Sequence, residues 1–350
     1  LVPVTEVPAL LGAHYVQALT EDATGIVWLG TRSRGLHWVN GGRLTHFRGS
    51  HDDIYSLRGD REGNIWVGSN GMGLHRVRPK TYRIYDKNDG LLLDFSTTIC
   101  QDRDGAMWFA NRDGGVVRLD EGGFRTFPHL PGWPSYSAVS VFPRPEGGIG
   151  FTCGSGVYRV GFDGGTTIQR IPEIPEQPII RDTYVTRKGA TWMSLGAGRI
   201  GRYEHSAFQT FGPAEGFVAD EVRTLAEDGE GRILAGTVDG QVLRYDGARF
   251  APLPLGSTAP RRAIQAILAE RDVLWLGTEG EGLLVLVDGV LRIIGPAQGL
   301  PHPELSQILA DDLGHLWFGS RTGIFRVSRQ ELLDCARQRI ARIHPIPVGK

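Results

Sequence analysis

A short pattern returns eight times along the chain, centred at positions 28, 66, 108, 150, 192, 234, 275 and 317, at intervals of 38, 42, 42, 42, 42, 41 and 42 residues. Its clearest forms are GIVWLGT, GNIWVGS, GAMWFAN, VLWLGT and HLWFGS, anchored by Trp28, Trp66, Trp108, Trp275 and Trp317. Trp192 belongs to the same series, while Gly150 and Leu234 hold the slot in two degenerate copies. A fixed period of this length constrains the fold more than any single motif does. Each copy must be one supersecondary unit that cannot bury its faces alone. The period also moves the functional expectation from one embedded catalytic constellation toward a broad recognition surface.

The third copy reads as four short apolar runs: Thr97 to Cys100, Ala106 to Ala110, Val116 to Leu119 and Phe124 to Phe127. Turn residues separate them, at Asp102 to Gly105, Asp113 to Gly115 and Glu121 to Gly123. Such runs are too short for helices and suit antiparallel strands joined by glycine-containing hairpins. Ile65, Trp66 and Val67 place apolar groups on both faces of a second strand, so both faces need cover. Stacking sheets face to face around an axis supplies it and leaves only short, protected edges. The predicted fold is all-β, a β-propeller of four-stranded antiparallel blades spanning residues 1–350 as one region. Burial of each anchor Trp between neighbours contributes about 2 to 3 kcal/mol. Eight repeats leave ring size open between an eight-bladed closure and a seven-bladed ring plus part of a neighbour.

Glycine placement supports the hairpins. Gly25, Gly63, Gly105, Gly147, Gly189, Gly231 and Gly314 each precede the anchor by three residues. Asp22, Asp60, Asp102, Asp228 and Asp311 stand three residues earlier again. The spacing D-x-x-G fits an Asx-type turn with a residue of positive φ. A calcium loop, the sharper alternative, needs several oxygen ligands converging within one loop.

The 38 Lys and Arg balance 39 Asp and Glu, and no basic run stands out, which argues against nucleic acid as a partner. No apolar stretch approaches the length of a membrane span, so no membrane contact is expected of this segment. Cys100, Cys153 and Cys335 lack any C-x-x-C spacing and read as packed free thiols, with no disulfide framework and no metal site. No cofactor motif is present and no catalytic constellation was found, although paired carboxylates for glycoside chemistry remain open among the acidic loops. Both ends read as cut, as in a fragment of a longer array.

Two copies break the pattern. Copy four lacks the Trp, carries Pro143 and Pro145 in its hairpin, and is followed by IPEIPEQPII, which reads as an edge or an extended crossing. It is either a divergent blade, the favoured reading, or a seam between rings. Copy eight carries a helix signal over 329–342, with Ser328 and Glu331 as a capping box and Leu332, Leu333, Ala336 and Ile340 on one face. That helix is expected between third and fourth strands, either on the rim or as a docking element.

Connections from each fourth strand to the next first strand share one face with the loops joining second and third strands. They carry Asp52, Asp53, Asp94, Trp133, Tyr136, Asp220, Glu221, Arg261, Arg262, His302 and Glu304. The second-to-third loops add Arg32, Arg34, Asn70, Met72, Asn111 and Arg112. Trp133, Tyr136, Asp94, Arg262, His302 and Glu304 are the candidate ligand contacts. Trp133 and Tyr136, beside prolines, could form flat stacking platforms or simply pack their own loop.

The unit as a whole resembles the two-component regulator propeller repeat, most closely in GIVWLGTRSRGLHWV, GNIWVGSNGMGLHRV and HLWFGSRTGIFRV. That resemblance implies the extracytoplasmic (periplasmic) sensor region of a membrane-anchored bacterial regulator. It also implies a downstream immunoglobulin-like domain, a membrane helix and a histidine kinase or diguanylate cyclase output. A small-molecule or oligosaccharide ligand is implied, with no catalysis in this segment; a homodimer is left open. The alternatives are a propeller-fold lyase or glycosidase, and an interaction scaffold resembling WD-repeat proteins. The departures are copies four and six, which lack the Trp, and a count that does not divide into sevens.

Overall fold

The computed structural model describes residues 15–22, 25–40, 43–47, 50, 52–60, 64–77, 96–111, 115–127, 138–153, 156–161, 167–176, 180–256 and 260–348. Each repeat forms one antiparallel sheet whose strands follow one another in chain order. Seven sheets have four strands, and the second repeat's sheet has three described strands. The fold is therefore a β-propeller of meander blades, numbered here one to eight. Blade three, for example, runs Ser96–Gln101, Met107–Asn111, Val116–Asp120 and Gly123–Phe127. Every pairing of first with second strand shifts register close to the first strand's opening, as between Val222 and Thr224 of blade six. Such bulges bend the strand and re-aim the side chains beside the loops.

The chain divides into two compact units, Leu1–Arg83 with blades one and two, and Ile84–Lys350 with blades three to eight. In each unit the anchor Trp is buried against the following blade. Trp28 packs with Ile54, Ile65 and Val67 of blade two. Trp108 packs with Val141, Ile149 and Phe151 of blade four, and Trp192 with Leu243, Tyr245 and Phe250 of blade six. Trp275 packs with Leu305, Leu316 and Phe318 of blade eight. Trp66 and Trp317 are only half-buried.

The Asp of the first hairpin does more than turn the chain. In blade three its Oδ1 accepts the Ala106 N–H at 2.9 Å, while Oδ2 accepts the Trp108 indole N–H at 2.7 Å. The same fork joins Asp22 to Trp28, Asp60 to Trp66 and Asp311 to Trp317. Hairpin and anchor are thus one unit, joined by charge-assisted hydrogen bonds worth about 1.5–3 kcal/mol each. Blade seven, whose interval is 41 residues, uses Glu270 one position closer to Trp275, and its longer side chain still reaches the indole at 2.8 Å. Blade six has no indole, and Arg232 Nε donates to Asp228 Oδ2 instead. With these carboxylates engaged by N–H donors, the turn reading of D-x-x-G holds where it is described.

The glycine two residues after the anchor marks close approach between blades. A Cβ on Gly30 would lie 2.6 Å from Ile54, and one on Gly236 2.8 Å from Ile264. Each of those residues opens the next blade's first strand.

Copy four is an ordinary four-stranded blade. Phe142, directly across the register from Gly150, lays its ring where a Cβ on Gly150 would come within 2.4 Å, and packs with Met193 and Leu195 of blade five. A first-strand aromatic has taken over the anchor's work.

The helix, α1, spans Arg329–Ala336 between the third and fourth strands of blade eight. It stops short of 342 because Gln338 turns left-handed at φ +59°, with the Gln338 N–H donating to Cys335 O and the Arg339 N–H to Asp334 O. This is a Schellman ending. Leu332, Leu333, Cys335 and Ala336 are buried with Val285 and Val287 of blade seven, whereas Ile340 is exposed. Ser328 caps the Glu331 N–H at 3.5 Å, but Glu331 turns away from the reciprocal bond and its Oε1 lies 2.6 Å from His344 Nδ1. Arg329 to Glu270 and Arg337 to Asp288 fasten both ends of α1 to blade seven.

Candidate ligand-binding loops

The meander places first-to-second and third-to-fourth turns at one end of each blade, and second-to-third loops with the inter-blade connections at the other. Local chemistry fixes the second end. The hydroxyl three residues after the anchor donates across the second-to-third turn: Thr31 to Gly35 O at 2.8 Å, Ser69 to Gly73 O at 3.1 Å and Thr278 to Gly282 O at 2.8 Å. The next N–H along donates to the carbonyl just before the blade's own first strand, from Arg32 to Tyr15, Asn70 to Asp53, Val238 to Glu221 and Glu279 to Ala263. Each loop is thereby latched to the incoming connection.

In the first unit, Asp53 Oδ1 accepts the Ser33 N–H at 2.8 Å and Asp52 O accepts the Gly35 N–H at 2.7 Å. These two acids hold the loops of blades one and two together, while Arg32, Arg34, Asn70 and Met72 are exposed on the turns.

In the second unit the structure gathers several candidates across blades seven and eight. The Glu281 carboxylate accepts the Arg261 N–H at 3.1 Å. Glu279 and Glu304 face each other in an isolated antiparallel bridge, and Arg321 lies 3.4 Å from the Glu304 carboxylate. His302 Nδ1 accepts the Glu304 N–H at 3.1 Å, which fixes the ring over its own loop. Arg261 and Arg262 have exposed side chains that make no ion pair among the described residues. Asp220 is exposed, and Glu221 lies 3.3 Å from Arg223 in the connection before blade six. Trp133, Tyr136, Asp94 and Arg112 lie outside the described residues. Glu279, Glu281 and Arg321 were missed in the sequence. They stand in TEGEG and SRTG, the same turn that supplied Arg32 and Arg34 from TRSRG.

A polar line runs between first strands that read as apolar. The Val141 N–H donates to Thr98 Oγ1 at 3.3 Å, Ser140 and Thr183 share a 2.5 Å hydroxyl contact, and the Leu225 N–H donates to Asp182 Oδ2 at 2.9 Å. These bonds connect blades three to four, four to five, and five to six. Burial pushes the Asp182 carboxyl up to about 6, against the downward pull of the Leu225 and Thr183 N–H donors. Burial likewise pushes the free Cys100 thiol up to about 12. Among the described residues no cluster of three His, Cys, Asp or Glu could hold a metal, and no helix is long and apolar enough to cross a membrane.

Blades of this meander form, joined strand to strand and latched at the loop end, define a repeat-built β-propeller protein. The family model for the two component regulator propeller matches residues 48–71 and 90–113. These two stretches of the chain are thus similar to repeats of that family. No curated protein matches it in sequence. Among solved structures it is similar to PorZ, a surface component of the type-IX secretion system of Porphyromonas gingivalis, at 15% identity, TM-score 0.53, covering 86% of this chain and 50% of that one. It is also similar to the extracellular domain assigned to a hybrid two-component system of B. thetaiotaomicron, at 14% identity and TM-score 0.45, covering 91% of this chain and 52% of that one. The chain thus spans about half the length of that domain. A virginiamycin B lyase from Staphylococcus aureus, solved with quinupristin, matches at 15% identity and TM-score 0.49, covering 89% of this chain and 93% of that one.

Proposed function

We propose that this chain is the ligand-sensing propeller of a bacterial two-component regulator, working outside the cytoplasm and binding a small molecule or glycan at its loop end. The observation that carries this reading is the match to two-component regulator propeller repeats at residues 48–71 and 90–113. The loops of blades seven and eight support it. They are held by backbone hydrogen bonds, so they are pre-organised, yet they leave Arg261 and Arg262 exposed for a polar guest. In this reading Arg262, His302 and Glu304 contact the ligand, and Trp133, Tyr136 and Asp94, which lie outside the described residues, are the further candidate contacts. Ligand then biases two arrangements of the propeller against output domains further along the same protein.

The test is a thermal-shift screen of the purified chain with an oligosaccharide panel, run beside an assay for cleaved or eliminated product. The proposal expects a saturable rise in melting temperature that is lost in Arg262→Ala and Glu304→Ala, with the oligosaccharide recovered intact. Turnover abolished by a single acid-to-amide change would establish the lyase or glycosidase reading in its place.

A further inference from the structure

Blade six has lost its Trp without the replacement that blade four found. The residue opposite Leu234 on the first strand is Ala226, which cannot fill an indole's place as Phe142 does opposite Gly150. The two blades also differ in the space beside the slot. Beside Phe142, between blades four and five, a cavity of about 110 Å³ remains. Between blades six and seven, at the end away from the ligand loops, it is about 560 Å³. Its apolar walls are Leu234 and Leu253 of blade six and Leu274 and Leu286 of blade seven.

Arg244 lies beside this space. It stands directly across the register from Leu234, as Arg118, Arg202 and Arg326 stand across from Trp108, Trp192 and Trp317. In those three blades the guanidinium lies over the indole, 5.8, 5.7 and 5.4 Å from the ring centroid. Arg244 is half-buried, lines the cavity, and makes no hydrogen bond or ion pair among the described residues. Of the other charged residues lining the cavity, Arg232 pairs with Asp228 and Glu230 and Glu270 with Trp275 and Arg329, while Arg271 and Asp272 make no hydrogen bond or ion pair with Arg244. A half-buried cation with no partner among the described residues, beside these leucines, lacks the ring face that its counterparts have.

We propose that this cavity binds a small neutral aromatic molecule, whose flat ring occupies the absent indole's place between Arg244 and the leucines of blades six and seven. The volume lies within the usual range for small-ligand pockets, about 300 to 1,000 Å³. A ring gains both apolar burial and the cation–π contact, whereas a saturated ring of equal size gains only the first.

Indole serves as the probe, titrated by calorimetry into the whole chain, with decahydro-2-naphthol as the saturated bicyclic control. The expected result is saturable indole binding at one site, with the control at least about fivefold weaker. Arg244→Ala should weaken indole about tenfold while leaving the control unchanged. Leu234→Trp should abolish binding by restoring the anchor in place. If that variant does not fold, Arg244→Ala and the ratio of the two probes still decide. Absence of indole binding to the unaltered chain at about 5 mM, equal affinity for both probes, or indole affinity unchanged by Arg244→Ala would each overturn the proposal. The outcome is independent of the oligosaccharide screen, because the two sites lie at opposite ends of the blades.

Discussion

Asp102 shows how much one side chain can organise. Its two oxygens accept N–H donors from Asp104, Ala106 and the Trp108 indole, and it is itself buried. Asp102→Ala should therefore destabilise the chain by about 2–4 kcal/mol, since truncation strands donors at the root of a buried anchor. Asp104→Ala, on the exposed side of the same turn, should change stability by less than about 0.5 kcal/mol. Denaturant unfolding of the two variants measures the contrast, and equal costs would count against the Asp–Trp link. Asp182 carries a prediction in pH. Its folded carboxyl titrates at about 6, above the ordinary carboxylate value, so the folded state holds the proton more tightly than the unfolded one. The sign follows: its contribution favours folding below the unfolded value, near pH 4, and is lost as pH rises through about 6. Relative to Asp182→Asn, the unaltered chain should gain on the order of 2 kcal/mol between pH 7 and pH 4. Parallel stability curves for the two proteins would remove the buried carboxyl from the account. The sequence placed Asp102 and Asp104 in the turn but hid the indole partner, because a six-residue separation between Asp and Trp shows no contact until the hairpin folds.

At the scale of the element, α1 ends where a non-glycine residue accepts an unfavourable conformation. Gln338 sits at φ +59° to close the Schellman motif. A left-handed residue with a side chain costs about 1–2 kcal/mol, and the extra freedom of unfolded glycine offsets only part of that. Gln338→Gly should stabilise the chain by about 0.5–1 kcal/mol, read as a higher denaturant midpoint, while Gln338→Ala should not. A Gln338→Gly variant no more stable than Gln338→Ala would mean the left-handed turn is not held in solution. The helix itself was legible from Ser328 and the Leu332, Leu333, Ala336 spacing. Its length was not, because nothing in CARQRI announces a left-handed turn. Glu331 looked like half of a capping box by position, but His344, thirteen residues on, is the partner it meets. The hairpins read well for the opposite reason. Their glycines are required by the backbone, as at Gly105 with φ +85° and Gly231 with φ +82°.

Within each unit, the contacts that matter run from one blade to the next, and this decides both what could be read in advance and how damage should combine. Period and anchor revealed the blades because a Trp every 42 residues or so is visible without knowing any contact. Compensation was invisible: Phe142 stands eight residues before the gap it fills, and Leu234 looks like a mild replacement until the cavity beside it appears. The candidate loop cluster was half legible: His302 and Glu304 were named from the connections, whereas Glu279 and Arg321, which the structure sets beside Glu304, were not. An array held by nearest-neighbour junctions has additive distant defects and coupled adjacent ones. Asp102→Ala in blade three and Gly236→Ala in blade six share no junction, so their combined cost should equal the two single costs within about 0.5 kcal/mol. Gly236→Ala alone pushes a methyl to 2.8 Å from the Ile264 Cγ2 of blade seven, an overlap expected to cost about 1–3 kcal/mol. Ile264→Ala alone opens a cavity and should cost about 2–5 kcal/mol. Together they couple in part: the truncation removes the Ile264 Cγ2 overlap but leaves the Ile264 Cβ at 2.9 Å and the Thr224 Cγ2 at 2.8 Å from the new methyl, so the double variant should be more stable than the sum predicts by at least about 0.5 kcal/mol. Strong coupling between the distant pair, or none between the adjacent pair, would show that stability is shared through the whole array and not passed from blade to blade.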